Sequence, residues 1–400
     1  MFSQAFTCLT IAVICGQSKS EPIDILDSVD FEFPGSGRWS FTRLANKYGY
    51  KAEEHEVITE DGYILTLFHI KGRSPPVLLV HGILDSSDTW LLRGENSLGI
   101  TLANSGYDVW FGNTRGNIYS RRHVTLNPDV DTKFWEFSFN EIGYYDYPAI
   151  LDKILNQTSA TSITAIAHSQ GTTAFYVLGS SRSEYNSKIN ILISLAPVCY
   201  IHHAPTPFST FIKIRHALKE FFLAFQIHEV LGDKSQITKI LRFICTQPII
   251  GYKVCAIGLI SVFTGFDLEE LEPSFYKKVT KYIPSGTSAQ SLLHYLQVGH
   301  TKIFAPYDYG DRNQFIYNSS VPPPYDLSKV TFPNALLAAR NDHISTLADV
   351  ALLREQLPNV VYYLVNPRQQ FNHVDDIWGR RMYLYLFPYI FRLLRTYNGF

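Results

Sequence analysis

The sequence predicts an α/β protein with a mostly parallel central sheet and a mainly helical insertion. Three observations point there. Short apolar runs bounded by turn residues recur along the chain, segments with helical spacing lie between them, and one run ends in a sharp turn with a serine at its apex. Fully apolar runs of this length suit parallel strands buried on both faces. Strands that alternate with helices place those helices on both sides of one sheet.

Composition sets the outer bounds. Of 400 residues, 46% are hydrophobic, with 27 Phe and 25 Tyr, so the chain can bury a large core and the composition argues against disorder. A formal net charge of −1 and the lack of any long charged run give no footing for a nucleic-acid partner. Length alone suggests two or three domains, but α/β enzymes of this size often form one domain with an insertion.

The elements follow in order. Ala5 to Cys15 is an apolar run ending at Gly16, with Ser18 and Ser20 at the spacing of a cleavage site. Residues 1–20 therefore read as a secretory signal peptide, with an N-terminal anchor as the alternative. The run is short of the roughly 20 residues that span a bilayer. Glu56 to Ile70 alternates around Asp61-Gly62, a hairpin signal. Strands are then expected at Val77–Val80, Tyr107–Phe111, Ile163–Ala167, Ile189–Ala196, Ala335–Ala339 and Val360–Val365. Ile142–Leu155 and Leu347–Leu357 carry apolar residues at three- and four-residue spacing and read as helices.

The interval from Cys199 to about Pro324 breaks the alternation. It is rich in Phe, Ile and Leu and punctuated by Pro205, Pro207, Pro248 and Pro273. Residues 199–324 read as a cap and lid over the strand ends where such sheets bind ligands, with 21–198 and 325–400 forming the core. The plainer alternative is a helical subdomain with its own core. The apolar stretch Val254–Phe266 is short and bounded by Lys253 and Asp267, so it belongs to the fold and no integral membrane span is expected. Asn156 and Asn318 open sequons compatible with glycosylation. With Cys8 and Cys15 in the signal, a Cys245–Cys255 bridge would close a short loop and leave Cys199 unpaired. No Cys/His grouping has zinc-site spacing.

The chemistry centres on Ile163 to Gly171. An apolar strand runs into Ala167-His168-Ser169-Gln170-Gly171, and the small and apolar residues of a buried helix start follow. This is the nucleophile elbow of an α/β-hydrolase, with Ala167 in the first small position. Small flanks are needed because strand and helix backbones nearly touch there. Alone, the motif also fits a serine in an ordinary turn.

The fold orders its triad as nucleophile, acid, histidine. Ala335–Ala339 runs into Asp342, and Val360–Val365 is followed by His373. Ser169 is the expected nucleophile, His373 the general base and acid, and Asp342 the group that orients the imidazole. His343 is the nearest rival base, but it sits on the acid's own loop. His168 adjoins the nucleophile, so its side chain should point away from Oγ. Asp375 and Asp376 are either surface acids or braces of the histidine loop, and stand outside the triad. The oxyanion donors are expected at the backbone N–H groups of Gln170 and Ile83, the latter in His81-Gly82-Ile83-Leu84.

With these residues in place the chain resembles the acid lipase family of gastric and lysosomal acid lipases. The matching stretches are His81 to Ser87, Gly106 to Asn117, Phe134 to Phe139, the Ala-x-His-Ser-Gln-Gly elbow, Gly265-Phe266-Asp267 and Asn372 to Trp378. They extend from about Glu54 to the C-terminus. The resemblance places the family's triad on Ser169, Asp342 and His373 and its oxyanion donors on Ile83 and Gln170. Cys245 and Cys255 are similar in place to its cap disulfide. It implies hydrolysis of triacylglycerols or cholesteryl esters at a lipid surface, often at acidic pH, no metal or organic cofactor, and a secreted or lysosomal location. Two departures stand out. Arg340 precedes Asn341-Asp342 where the family usually has glycine, and could alter the mouth of the site. Thr264 occupies a position where some members carry a third cysteine.

The first function expected is therefore a neutral-lipid lipase that works through an acyl-enzyme. A non-catalytic lipid carrier on the same fold is the second reading, although such a protein would be expected to lose triad members. A soluble-ester hydrolase or acyltransferase is the third.

Overall fold

Helix Phe41–Lys47 comes first among the described residues, and a hairpin follows it. The computed structural model describes residues 38–73 and 75–399, so the segment read as a signal peptide lies outside them. Strands β1 (Glu53–Ile58) and β2 (Ile64–Ile70) pair antiparallel around the Asp61-Gly62 turn, where Gly62 takes a φ of 95°. Next come β3 (Pro76–Val80), β4 (Asp108–Gly112), β5 (Ile163–His168) and β6 (Ile189–Leu195). A long segment intervenes before the last two sheet strands. It holds a short antiparallel ladder of β7 (Glu229–Val230) and β8 (Thr287–Ser288). The sheet is completed by β9 (Asn334–Ala338) and β10 (Val360–Val365).

The eight-stranded sheet has the order β1-β2-β4-β3-β5-β6-β9-β10. From β4 to β10 each neighbour is parallel; only the β1–β2 and β2–β4 pairings are antiparallel. Period-two alternation sorts the side chains into two cores. Val77 and Leu79 of β3 join one buried cluster, and Leu78 and Val80 join the other. The same split separates Val109 and Phe111 from Trp110 on β4. The apolar runs are continuous because both faces are covered.

The helix expected at Ile142–Leu155 is Tyr147–Thr158, preceded by one π-helical turn at Ile142–Asp146. Leu347–Gln356 is the second expected helix, capped by the Thr346 side chain on the Asp349 N–H. Between β6 and β9 the chain is mainly helical, with Arg215–Ala224, Gln236–Thr246 and Ala289–Thr301 the longest regular α-helices. The β7–β8 ladder there is a difference from the sequence reading. Two residues per strand leave no periodicity to detect. Val254–Phe266 falls in the helical turns Tyr252–Ser261 and Val262–Thr264. No described helix is long and apolar enough to cross a membrane.

Candidate active site

Ser169 joins the end of β5 to helix Gln170–Ser181 with φ 52° and ψ −121°. A residue with a Cβ pays about 1–3 kcal/mol for such a conformation unless its surroundings impose it. Here they do. The Ser169 N–H donates to the Leu195 carbonyl at 3.1 Å, and the Thr172 N–H donates to the Ser169 carbonyl at 2.8 Å. The small flanks follow from close approach. A Cβ on Gly171 would stand 2.9 Å from the His81 carbonyl oxygen and 3.4 Å from the Ala167 Cβ. Gly171 therefore has no room for a side chain, while the methyl of Ala167 fits beside it.

Three loops bring the predicted triad together. The Ser169 hydroxyl donates to His373 Nε2 at 2.8 Å, and His373 Nδ1 donates to Asp342 Oδ2 at 2.8 Å. Asp342 follows β9, and its Oδ1 accepts the Ile344 and Ser345 N–H groups, each at 2.8 Å. His373 follows β10 on a loop held by its own N–H to the Thr264 carbonyl. All three residues are buried, with Ser169 only 5% exposed.

The loop expected to supply an oxyanion donor, His81 to Leu84, is built from behind. His81 Nδ1 donates to the Gly82 carbonyl at 2.7 Å, while His81 Nε2 accepts from Asn117 Nδ2 and the Thr114 N–H. Burial pushes the His81 imidazole down to about 4, so it stays neutral and keeps this donor–acceptor pattern. Gly82 then packs so closely that a Cβ would lie 3.1 Å from the Ser169 Cβ. The Ile83 and Gln170 N–H groups donate to no described residue.

The described hydrogen bond of the Ser169 hydroxyl goes to His373 and not to His168, which has a different task. Its Nε2 donates to the His373 carbonyl at 2.8 Å. Burial and the neighbouring His373 hold it well below the usual imidazole range, so it braces the base loop as a neutral ring. His343 is engaged with the Val262 carbonyl at 3.2 Å and does not reach the serine. Arg340 is exposed and donates to the Asn366 carbonyl. The reading of Asp375 and Asp376 as surface acids is overturned, because both are buried. Asp375 accepts the Asn372 N–H at 2.9 Å and braces the histidine loop. Burial and the adjacent Asp342 charge push the Asp376 carboxyl well above the ordinary range.

Some contributors escaped the sequence. The brace from His168, the support of His81 by Thr114 and Asn117, and the strap Gly265-Phe266-Asp267 between the acid and base loops all depend on long-range pairing. Their only signal was the motif in which each stands. Elsewhere, Cys245 and Cys255 are bonded, Cys199 is free and buried, and Asn156 and Asn318 are exposed. Among the described residues, the groups of His, Cys, Asp and Glu able to hold a metal contain no triad member.

Comparisons with known proteins identify the family. The α/β-hydrolase fold family matches residues 75–376, and a partial α/β-hydrolase lipase region matches residues 41–94. Lipase 1 of Drosophila melanogaster is 36% identical over 85% of this chain and 76% of its own length. The lysosomal acid lipase/cholesteryl ester hydrolase of Homo sapiens is 34% identical over 89% of this chain and 91% of its own. Gastric triacylglycerol lipase of Mus musculus is 33% identical over 84% and 87%. A thermophilic esterase from Thermogutta terrifontis shares the fold at a TM-score of 0.51, with 14% identity, covering 86% of this chain and 99% of that one. Elbow, strand order and full-length relatives converge: the chain belongs to the α/β-hydrolase fold family and, within it, to the acid lipase family of gastric and lysosomal lipases.

Proposed function

We propose that this chain is a lipase that hydrolyses carboxylic esters of neutral lipids, triacylglycerols or cholesteryl esters, through an acyl-enzyme on Ser169. The observation that carries the reading is the hydrogen-bonded line Ser169–His373–Asp342 at the elbow. Ser169 Oγ attacks the ester carbonyl carbon as His373 Nε2 takes its proton. The Ile83 and Gln170 N–H groups receive the negative oxygen. Collapse expels the alcohol, which takes the proton from His373. Water then attacks the acyl-enzyme with the same proton relay and releases the fatty acid. Asp342 holds the imidazole tautomer and stabilises the imidazolium.

Residues 199–324 serve as cap and lid in this reading. Burial of Ser169 supports a cap that must move before substrate enters. The exposed side chains Ile240, Phe243, Ile244, Ile249 and Ile250 cluster in sequence around the disulfide loop and favour a lipid surface over a small soluble ester. Hydrolysis in the secretory path or lysosome, with glycans on Asn156 and Asn318, fits the exposed sequons and the relatives' names. The test is hydrolysis of an emulsified triacylglycerol and a cholesteryl ester at pH 5 and pH 8. Wild type should release fatty acid and Ser169→Ala should not; equal rates for the two overturn the proposal.

A further inference from the structure

The edge hairpin carries a second cluster of chemistry-bearing side chains, at the opposite end of the parallel strands from Ser169. In the β1–β2 register Glu53 faces His69 and His55 faces Leu67. Residues two apart on β1 share a face, so Glu53, His55 and His69 project to the same side. Glu53 Oε2 lies 3.5 Å from both His55 Nε2 and His69 Nδ1. Both nitrogens are buried and neither has a hydrogen-bond partner. One potential ligand atom from each of the three residues lies within 4.8 Å of the others.

The backing of His69 is that of a metal ligand. His69 Nε2 donates to Asp108 Oδ1 at 2.7 Å, which leaves Nδ1 as a bare lone pair aimed at the cluster. Asp108 also accepts the Gly72 N–H and the Trp110 indole N–H, each at 2.9 Å. A carboxylate behind the ring is the usual way to fix the tautomer and raise the basicity of a ligating histidine. Trp110 stacks on the His69 ring at 4.0 Å and locks its orientation.

Tetrahedral zinc with bonds of about 2.0–2.1 Å sets its ligand atoms roughly 3.3 Å apart. The two 3.5 Å separations match that edge, with no closer contact to consume the lone pairs. A cavity of about 760 Å³ is lined by Glu53, His69, Lys71, Asp108, Asn190 and Asn398 among others, and borders the Glu53–His69 side of the cluster. We propose that Glu53, His55 and His69 form a zinc site that fastens the edge strand β1 to β2. No linear spacing announces it, because the ligands meet only through strand register.

The test uses the full chain, stripped with EDTA and dialysed against zinc chloride, with bound zinc counted by mass spectrometry. One zinc per chain is expected, together with a rise in Tm that EDTA reverses. Asp108→Asn should weaken binding about 10–100-fold, and Glu53→Gln and His55→Gln at least as much. Glu53 and His55 are partly exposed, so their variants keep the test independent of any unfolding caused by changes behind His69. Cobalt in place of zinc should give the visible band of a tetrahedral ion, lost in the same variants. The proposal is overturned by substoichiometric zinc in wild type, or by equal retention in Glu53→Gln and His55→Gln. Loss of the metal on His203→Gln would also overturn it, since that places the ion at the separate His202, His203, Asp349 group.

Discussion

Replacing Gly265 by alanine should cripple catalysis from outside the triad. Gly265 adopts φ 103° and ψ 155°, a conformation that costs a residue with a Cβ about 1–3 kcal/mol. The second penalty is steric. A Cβ there would stand 1.8 Å from the Asn341 carbonyl oxygen and 2.9 Å from the Asn372 Cβ. Asn341 precedes Asp342 and Asn372 precedes His373, so the methyl drives apart the two loops that must meet. To regain even 3.0 Å the carbonyl must retreat by about 1.2 Å. The strap resists any compensating slide. Asn372 Nδ2 donates to the Gly265 carbonyl, Asn341 Nδ2 donates to the Phe266 carbonyl, and Arg368 pairs with Asp267 at 2.8 Å. A misplacement of about 1 Å can cost 10²-fold in rate, roughly 2.7 kcal/mol of barrier. A soluble p-nitrophenyl ester isolates this effect from any event at a lipid surface. The expected result is kcat lowered about 100-fold with a lower Tm and slower labelling of Ser169 by a fluorophosphonate. Gly265→Ala with kcat within threefold of wild type and an unchanged melt would refute the reasoning.

Three further outcomes follow from the same structure. Asp342→Asn should leave the fold intact but lower kcat by about 10⁴-fold on the soluble ester, because the amide cannot hold the required imidazole tautomer. Cys245→Ser should destabilise the region by about 2.7 kcal/mol, the chain-entropy value for a loop with a sequence separation of 10, read as a lower Tm without dithiothreitol and no difference with it. Asp85 sets a pH dependence. Burial pushes its carboxyl up to about 8, against a bond from the Ser86 N–H. The folded pKa is raised, so its contribution is fully present below about pH 4 and is lost as pH rises towards 8. Urea melts from pH 4 to pH 8 should therefore show Asp85→Asn losing less stability with rising pH than wild type, by up to about 1.4 kcal/mol per pH unit. Parallel curves for the two proteins would sink this assignment.

Much of the frame was readable because both faces of the sheet are buried. Val77–Val80 and Ile163–Ala167 are continuous apolar runs whose lengths match β3 and β5 to within a residue or two. The order of Ser169, Asp342 and His373 was readable for a topological reason, since each follows a strand that ends on the same edge. What escaped depends on pairing across distance. His168 looked idle beside the nucleophile, yet its partner is a carbonyl 205 positions away. Asp375 and Asp376 read equally as surface acids or as braces of the histidine loop; packing decides, because both are buried. The ladder of β7 and β8 is too short to carry a period. Glu53, His55 and His69 show nothing linear, because a hairpin register brings them side by side.

The backbone at Ser169 bears on what this molecule is kept for. With φ 52° and ψ −121°, position 169 is one where glycine would relieve roughly 1–3 kcal/mol of strain. Folding alone would thus favour glycine, and a chain used only to hold lipid would gain stability from that exchange. A serine at this point is uphill thermodynamically, and among the described residues its hydroxyl has no hydrogen bond other than the one to His373. Its presence separates a working enzyme from a retired scaffold on grounds that owe nothing to the triad's sequence motif.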